Sequence, residues 1–236
     1  IERFNKAADA VQALKLGKID CIVIDEAPAN AFVEINPELS ILEEDFAVEE
    51  YAICISKKNP QLREDINSAI SQLKQDGTLE KIISNYIGDS TKGQFPYIPK
   101  KDVDRSNGTL KVATNATFAP YEYIEGGEII GIDIDLAKAI CDILGMSLKI
   151  EDIEFDSIIS AVQSGKSDIG LSGMTVTEDR LKSIDFTDSY TTATQVIIIN
   201  NGSIDTNVSF KEKLHNNFVV DSRWKNKCCS RLYAKK

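Results

Sequence analysis

Residues able to bind a small zwitterion stand at the ends of several apolar runs in this sequence. Arg180 lies shortly after the run DIGLSGM, with Thr175 and Thr177 before it. Its guanidinium offers five donors in a fixed fork, which suits a planar carboxylate. Asp25 closes the apolar run 19–24 and could accept hydrogen bonds from an ammonium. Asn115, Thr117, Phe118 and Tyr121 follow LKVAT, and Phe155 and Asp156 follow KIEDI. Phe118 and Phe155 could cover an aliphatic stem and shield the charges at its end from water. A free α-amino acid presents this combination of carboxylate, ammonium and stem. Each residue alone also has an ordinary explanation. Arg180 reads as a solvated helix charge beside Glu178 and Asp179, Phe118 as core, and Asp25 as a strand-end turn or helix cap. Composition and spacing do not decide between the two.

Covalent chemistry finds less support. His215 is the single histidine, set in the polar stretch FKEKLHNNF. There is no G-x-S-x-G, H-E-x-x-H, P-loop or G-x-G-x-x-G motif. Gly126-Gly127 precedes a strand and reads as a hairpin turn. Glu122 reads as a surface carboxylate, and Asp133, beside Gly131, as a helix cap. The five cysteines (Cys21, Cys54, Cys141, Cys228 and Cys229) show no C-x-x-C spacing, and the first three sit in apolar runs as small buried hydrophobes. No catalytic residue, no metal site and no cofactor is expected.

These residues must be positioned by alternating helices and strands. Apolar residues recurring at helical spacing predict helices over 6–16, 27–33, 61–76, 79–87, 134–144 and 157–163, with another opening at Thr177. Short apolar runs predict strands at 19–24, 39–42, 51–56, LKVAT, SLKIEDI, DIGLSG and 194–200. APYEYIEGGEIIG predicts a turn and hairpin. Strands alternating with helices through short glycine turns define an α/β protein with mainly parallel sheets flanked by helices. In such sheets ligands lie beyond the carboxyl ends of the strands, and the candidate residues fall there.

The chain has 236 residues, 42% hydrophobic and 27% charged, which is ordinary for one domain or two small ones. No apolar run reaches the 18 residues of a membrane-spanning helix. With 27 basic and 37 acidic side chains the net charge is −10, which disfavours nucleic acid as a partner. Residues 89–108 carry glycines, prolines and mixed charge and read as a linker. The chain opens mid-stream, like a fragment or a processed product.

The stretch 109–199, from TLKVATNATFAPYEYIEGGEIIGIDIDLAKAI through SDIGLSGMTVTEDR to QVIII, resembles the opening half of the polar amino-acid-binding proteins of ABC importers. The stretch 1–88, with AADAVQALKLGKIDCIVIDEAPA, EEYAICISKKN and INSAISQLKQDGTLEKIISNYIG, resembles the closing half of the same family. The halves stand in reversed order. The resemblance implies a two-lobe periplasmic-binding-protein-like α/β fold that closes on an amino acid. Its first lobe would comprise 50–88 with 109–199, and residues 1–48 would form a partial second lobe. Residues 200–236 form a tail whose SFKEKLHNNFVVDSRWK resembles the link to a fused permease.

Position by position, the resemblance places Asn115 near the ligand and Phe118 and Phe155 at aromatic walls. It places Ser172, Gly173 and Thr175 in the segment that meets the ammonium and carboxylate. Arg180 becomes the carboxylate-binding arginine and Asp25 the ammonium-binding aspartate. The function implied is an extracytoplasmic receptor, tethered to the membrane in the full-length protein. It would deliver a free polar amino acid of the glutamine, arginine, histidine or cystine class to an ABC permease. The alternative is a ligand-sensing module of a membrane receptor without transport. The family's K-x-G-V-x-x-G-T-type segment of the second lobe has no counterpart here, which leaves a strand edge for another chain to cover. Residues 202–225 are poor material for that edge, so association into a homodimer is expected.

Overall fold

The computed structural model describes residues 2–4, 6–42, 46–88, 90–202 and 233–235. The chain divides into two units: Ile1–Glu49, Thr177–Lys182 and Ala193–Lys236 make one, and Glu50–Val176 with Ser183–Thr192 the other. His215, Cys228, Cys229 and the permease-like stretch 209–225 lie outside the described residues.

The first unit opens with β1 (Glu2–Arg3) and α1 (Ala7–Lys15). Ala7, Ala10, Val11 and Leu14 recur at helical spacing and are the buried face of α1. It packs on β2 (Cys21–Asp25), whose five residues are all buried, as a central strand requires. α2 (Glu26–Ile35) carries Pro28 in its first turn, where a missing N–H costs nothing. β3 (Leu39–Ile41) and β4 (Ala47–Tyr51) follow.

The second unit continues with β5 (Cys54–Ile55), α3 (Pro60–Gln75) and α4 (Thr78–Tyr86). Pro60 opens α3, and the Asn59 side chain caps it by accepting from the Leu62 N–H at 3.3 Å. Then come β6 (Thr109–Thr114), β7 (Thr117–Phe118) and the hairpin of β8 (Glu122–Glu125) and β9 (Glu128–Ile130). α5 (Ile132–Leu144) and β10 (Ser147–Asp152) lead to a single 3-10 turn at Phe155–Ser157 and α6 (Ile158–Ser164). β11 (Ile169–Gly170) and β12 (Asp185–Phe186) complete this unit. Between them α7 (Glu178–Leu181) belongs to the first unit, as does the greater part of β13 (Thr191–Asn200) and β14 (Tyr233–Lys235).

The second unit's sheet runs β10-β6-β11-β5-β12. β10, β6 and β11 are parallel, whereas β5 and β12 join antiparallel. One face is filled by Ala52, Cys54, Ala113, Phe155, Ile158, Val162, Met174, Ile184 and Phe186. α5 packs against α3 and α4, whose buried Ile66, Ile70, Leu73, Leu79 and Ile82 form their inner stripe.

The first unit's sheet runs β1-β14-β2-β13-β3, with β4 also paired to β13, and the four pairs along that order are antiparallel. The expectation of a mainly parallel sheet therefore fails here. The helix crossover β2-α2-β3 does make two strands of like direction, but β13 inserts between them and runs against both. The second expectation that changes is the bare edge. β14 occupies the position beside β2, with Tyr233 opposite Val23 and Lys235 opposite Cys21, and β1 pairs with β14 in turn. This removes the reason for expecting two chains to associate through β2.

The unit boundaries also differ from the sequence reading. Residues 177–182 and 193–199 go with the first unit. The stretch 90–108 belongs to the second unit and is fastened to it by Asp142 near the end of α5. One carboxylate oxygen of Asp142 accepts from the Tyr97 hydroxyl at 2.7 Å and the Lys100 N–H at 2.8 Å. The Arg105 guanidinium pairs with the other oxygen and donates to the Met146 carbonyl at 2.7 Å.

Candidate binding site at the strand ends

Three parallel strands end together in the second unit, and their carboxyl ends carry most of the candidate residues. The main chain knits these ends first: the Ile153 N–H donates to Thr114 O at 2.9 Å and the Leu171 N–H to Ala113 O at 3.0 Å. Side chains then close the gaps. The Asn115 amide donates to Ile153 O at 3.0 Å, and its oxygen accepts from the Thr117 hydroxyl at 2.7 Å. The Ala116 N–H donates to an Asp152 carboxylate oxygen at 2.9 Å. Asn115 is therefore held firmly in the loop that follows β6.

Ser172 and Gly173 follow β11. The Ser172 hydroxyl accepts from the Asn115 N–H at 3.1 Å and donates to a Glu122 oxygen at 2.7 Å. Its one proton is thereby committed, which leaves the oxygen an acceptor. The Gly173 N–H donates to Asp133 Oδ2 at 2.7 Å, and the other Asp133 oxygen accepts from the Tyr190 hydroxyl at 2.8 Å. Gly173 has φ +49, and a Cβ there would stand 3.2 Å from both Phe118 and Tyr51. The next residues run antiparallel to 50–52: Ala52 N–H donates to Met174 O at 3.1 Å and Val176 N–H to Glu50 O at 3.3 Å. Thr175 is thus fixed opposite Tyr51.

Phe118 belongs to an aromatic group. It stacks on Tyr121 with centroids 5.6 Å apart, and Tyr121 meets Tyr51 edge-on at 5.2 Å. Tyr190 lies 6.5 Å from Tyr51. The loop from Phe118 to Tyr121 wraps the start of α5, where Pro120 O and Tyr121 O accept from the Ile132 and Asp133 N–H groups. Gly131 makes that approach feasible: it has φ +131, and a Cβ would lie 2.1 Å from Tyr121 O. Phe155 packs in the apolar cluster with Ile158, Met174 and Phe186.

Sequence reasoning placed Glu122 on the surface and Asp133 as a helix cap, and the structure overturns both. Both are 0% exposed. The Asp133 carboxylate turns away from its own helix start to bond Gly173 and Tyr190. Burial pushes the Asp133 carboxyl up to about 7, against the pull of those two bonds. Tyr51 and Tyr190 were also absent from the sequence reading.

Asp25 and Arg180 belong to the first unit. Asp25 is the residue before α2, but its carboxylate makes no capping bond, and it is 1% exposed. The helix-cap explanation thus fails for its side chain. Arg180 lies on the one-turn helix α7, whose start is capped by Thr177 accepting from the Arg180 N–H at 3.2 Å. It is 7% exposed, so it is not a solvated helix charge. The neighbouring Asp179 pairs with Lys182 at 2.6 Å.

Part of the chain is similar to known amino-acid-binding proteins. Residues 110–222 match the family described as bacterial extracellular solute-binding proteins, family 3. The arginine-binding extracellular protein ArtP of Bacillus subtilis (strain 168) is 43% identical over 89 residues, which is 38% of this chain and 35% of that protein. A probable histidine-binding protein of Neisseria gonorrhoeae is 38% identical over 93 residues, 39% of this chain and 35% of that protein. Domain 1 of TmArgBP, solved bound to arginine, is 38% identical, with 40% of this chain and 82% of that domain covered and a TM-score of 0.35. Residues 110–222 are thus similar to the bacterial extracellular solute-binding proteins of family 3. The chain spans about a third of the length of the curated relatives named here.

Proposed function

We propose that the protein is an extracytoplasmic receptor that binds a polar L-amino acid without transforming it and delivers it to an ABC permease. The observation that carries this reading is the Asn115, Ser172 and Gly173 cluster at the carboxyl ends of parallel strands β6 and β11, beside the Phe118 ring. In open α/β sheets this is where small ligands are held. The ligand carboxylate is assigned to Arg180 and its ammonium to Asp25. Phe118 and Phe155 take the stem, and Ser172, Gly173 and Thr175 supply acceptors and main-chain groups. Relatives named for arginine and histidine support a cationic or polar side chain, with glutamine and cystine next in order. Asn115 is neutral, so cation recognition there relies on hydrogen bonding.

Binding would select one conformation over another rather than lower a reaction barrier. Among the described residues no helix is long and apolar enough to cross a membrane and no cluster of metal ligands occurs. Calorimetric titration with the twenty amino acids, ornithine and cystine tests the reading. Saturable heat from one polar amino acid is expected, and no heat from any of them overturns it.

A further inference from the structure

We propose that Asp133, together with Glu122, is a positioning residue of this site: two buried carboxylates hold consecutive residues, Ser172 and Gly173, in the geometry that receives ligand. The inference rests on the amino-acid-binding reading and extends it to residues beneath the ligand-facing segment. Three observations converge. Glu122 accepts a hydrogen bond from the Ser172 hydroxyl at 2.7 Å, and Asp133 accepts one from the Gly173 N–H at 2.7 Å. The main chain between these anchors turns through a left-handed glycine pressed between Phe118 and Tyr51. The Asp133 clasp extends further: its second oxygen accepts from the Tyr190 hydroxyl, and the Tyr190 main-chain N–H donates to Tyr51 O at 2.9 Å.

Stability alone is a poor reason for this arrangement. No lysine, arginine or histidine among the described residues pairs with Asp133, whose partners are the Gly173 N–H and the Tyr190 hydroxyl. A buried carboxylate without a cation is costly, and apolar replacements of such groups are often neutral or stabilising. What the carboxylate supplies is direction. It is an acceptor that draws the Gly173 N–H away from the ligand side and so fixes where the Ser172 oxygen and the neighbouring main-chain groups point. Acceptors carried on rigid elements hold such a turn more firmly than groups on loops do. Asp133 sits on α5 and Glu122 on β8, both regular elements, whereas the segment that they hold is a turn.

The test uses the full chain with Asp133→Asn, which keeps an acceptor, and Asp133→Leu, which does not. Three quantities are read: affinity for L-arginine, exchange of the Gly173 amide in the ligand-free protein, and melting temperature. The expected order of affinity is parent, then Asn within about tenfold, then Leu at least about thirtyfold weaker. Gly173 exchange should accelerate in the same order, while the melting temperature of Asp133→Asn stays at or above that of the parent. Parent-like Gly173 exchange in Asp133→Asn, or affinities that follow melting temperature instead of exchange, overturns the proposal. Should Asp133→Leu fail to fold, Asp133→Asn decides by the same two readouts. A parent that does not bind L-arginine counts against the ligand assignment alone, and the exchange measurement still decides the positioning role.

Discussion

At the scale of single residues, Asp133 makes the sharpest statement about pH. Its carboxyl is raised by burial to about 7 when folded, against about 3.9 in an unfolded chain. Between those values the folded protein keeps a proton that the unfolded chain has released. The stability linked to this group is therefore fully present below about pH 4 and lost as pH rises through about 7. Relative to Asp133→Asn, the parent should lose about 2 kcal/mol between pH 5 and pH 8, read from urea titrations of both proteins. A constant difference across that window would show that Asp133 does not titrate there. Gly131 makes a second residue-scale prediction. A methyl group would stand 2.1 Å from Tyr121 O at a φ of +131, so Gly131→Ala should cost about 3 kcal/mol through strain and crowding. Parent-like urea stability would contradict it.

Much of the candidate site was legible at this scale, because its residues follow apolar runs. Asn115 after LKVAT stands where a strand end must be, whereas Ser172 falls inside the expected strand DIGLSG and was marked only by the family resemblance. Glu122 was not legible because its strand inverts the usual alternation. The carboxylate faces inward while Ile124, two residues on, is 57% exposed. Tyr51 and Tyr190 were hidden by distance: only the antiparallel placing of β5 and β12 brings them to the Gly173 turn.

At the scale of elements, periodicity located the long pieces and missed the short ones. α3 was expected at 61–76 and runs Pro60–Gln75, and α5 was expected from 134 and begins at Ile132. Two-residue strands such as β7 and β12 have no alternation to read, and their pairing depends on neighbours far along the chain. The stretch 90–108 shows how composition misleads. It reads as a spacer, but Asp142 collects Tyr97, Lys100 and Arg105 from it, and Asn107 donates to Leu144 O at 2.7 Å at the end of α5. Burial works to raise the Asp142 carboxyl, and these bonds outweigh burial and hold it below its usual value. Asp142→Ala should therefore release the strap. Limited proteolysis should cut between 96 and 107 at least about tenfold faster than in the parent, while α5 stays protected. Equal cutting rates would show that the strap is held elsewhere.

At the scale of the whole molecule, the sequence pointed to the α/β class and the solute-binding family, but not to the antiparallel arrangement of the first unit. Strand direction there depends on β13 entering between β2 and β3, which no local pattern encodes. Since β14 lies beside β2, light scattering over a hundredfold dilution should return a monomer mass throughout; a concentration-dependent dimer would show that β14 does not cover that edge. Arg180 joins the residue and molecular scales. Arg180 holds the ligand carboxylate in the proposed reading, so Arg180→Ala should weaken amino-acid affinity by about 30-fold or more without unfolding the chain. Binding within threefold of the parent would remove Arg180 from the site.

The central claim is reversible binding of an unaltered amino acid, and equilibrium dialysis of the full chain against isotope-labelled L-arginine tests it most directly. Saturable retention of one ligand per chain, displacement by unlabelled histidine or glutamine only at higher concentration, and recovery of chemically unchanged arginine are expected. No retention at millimolar ligand, or recovery of a transformed product, would contradict it.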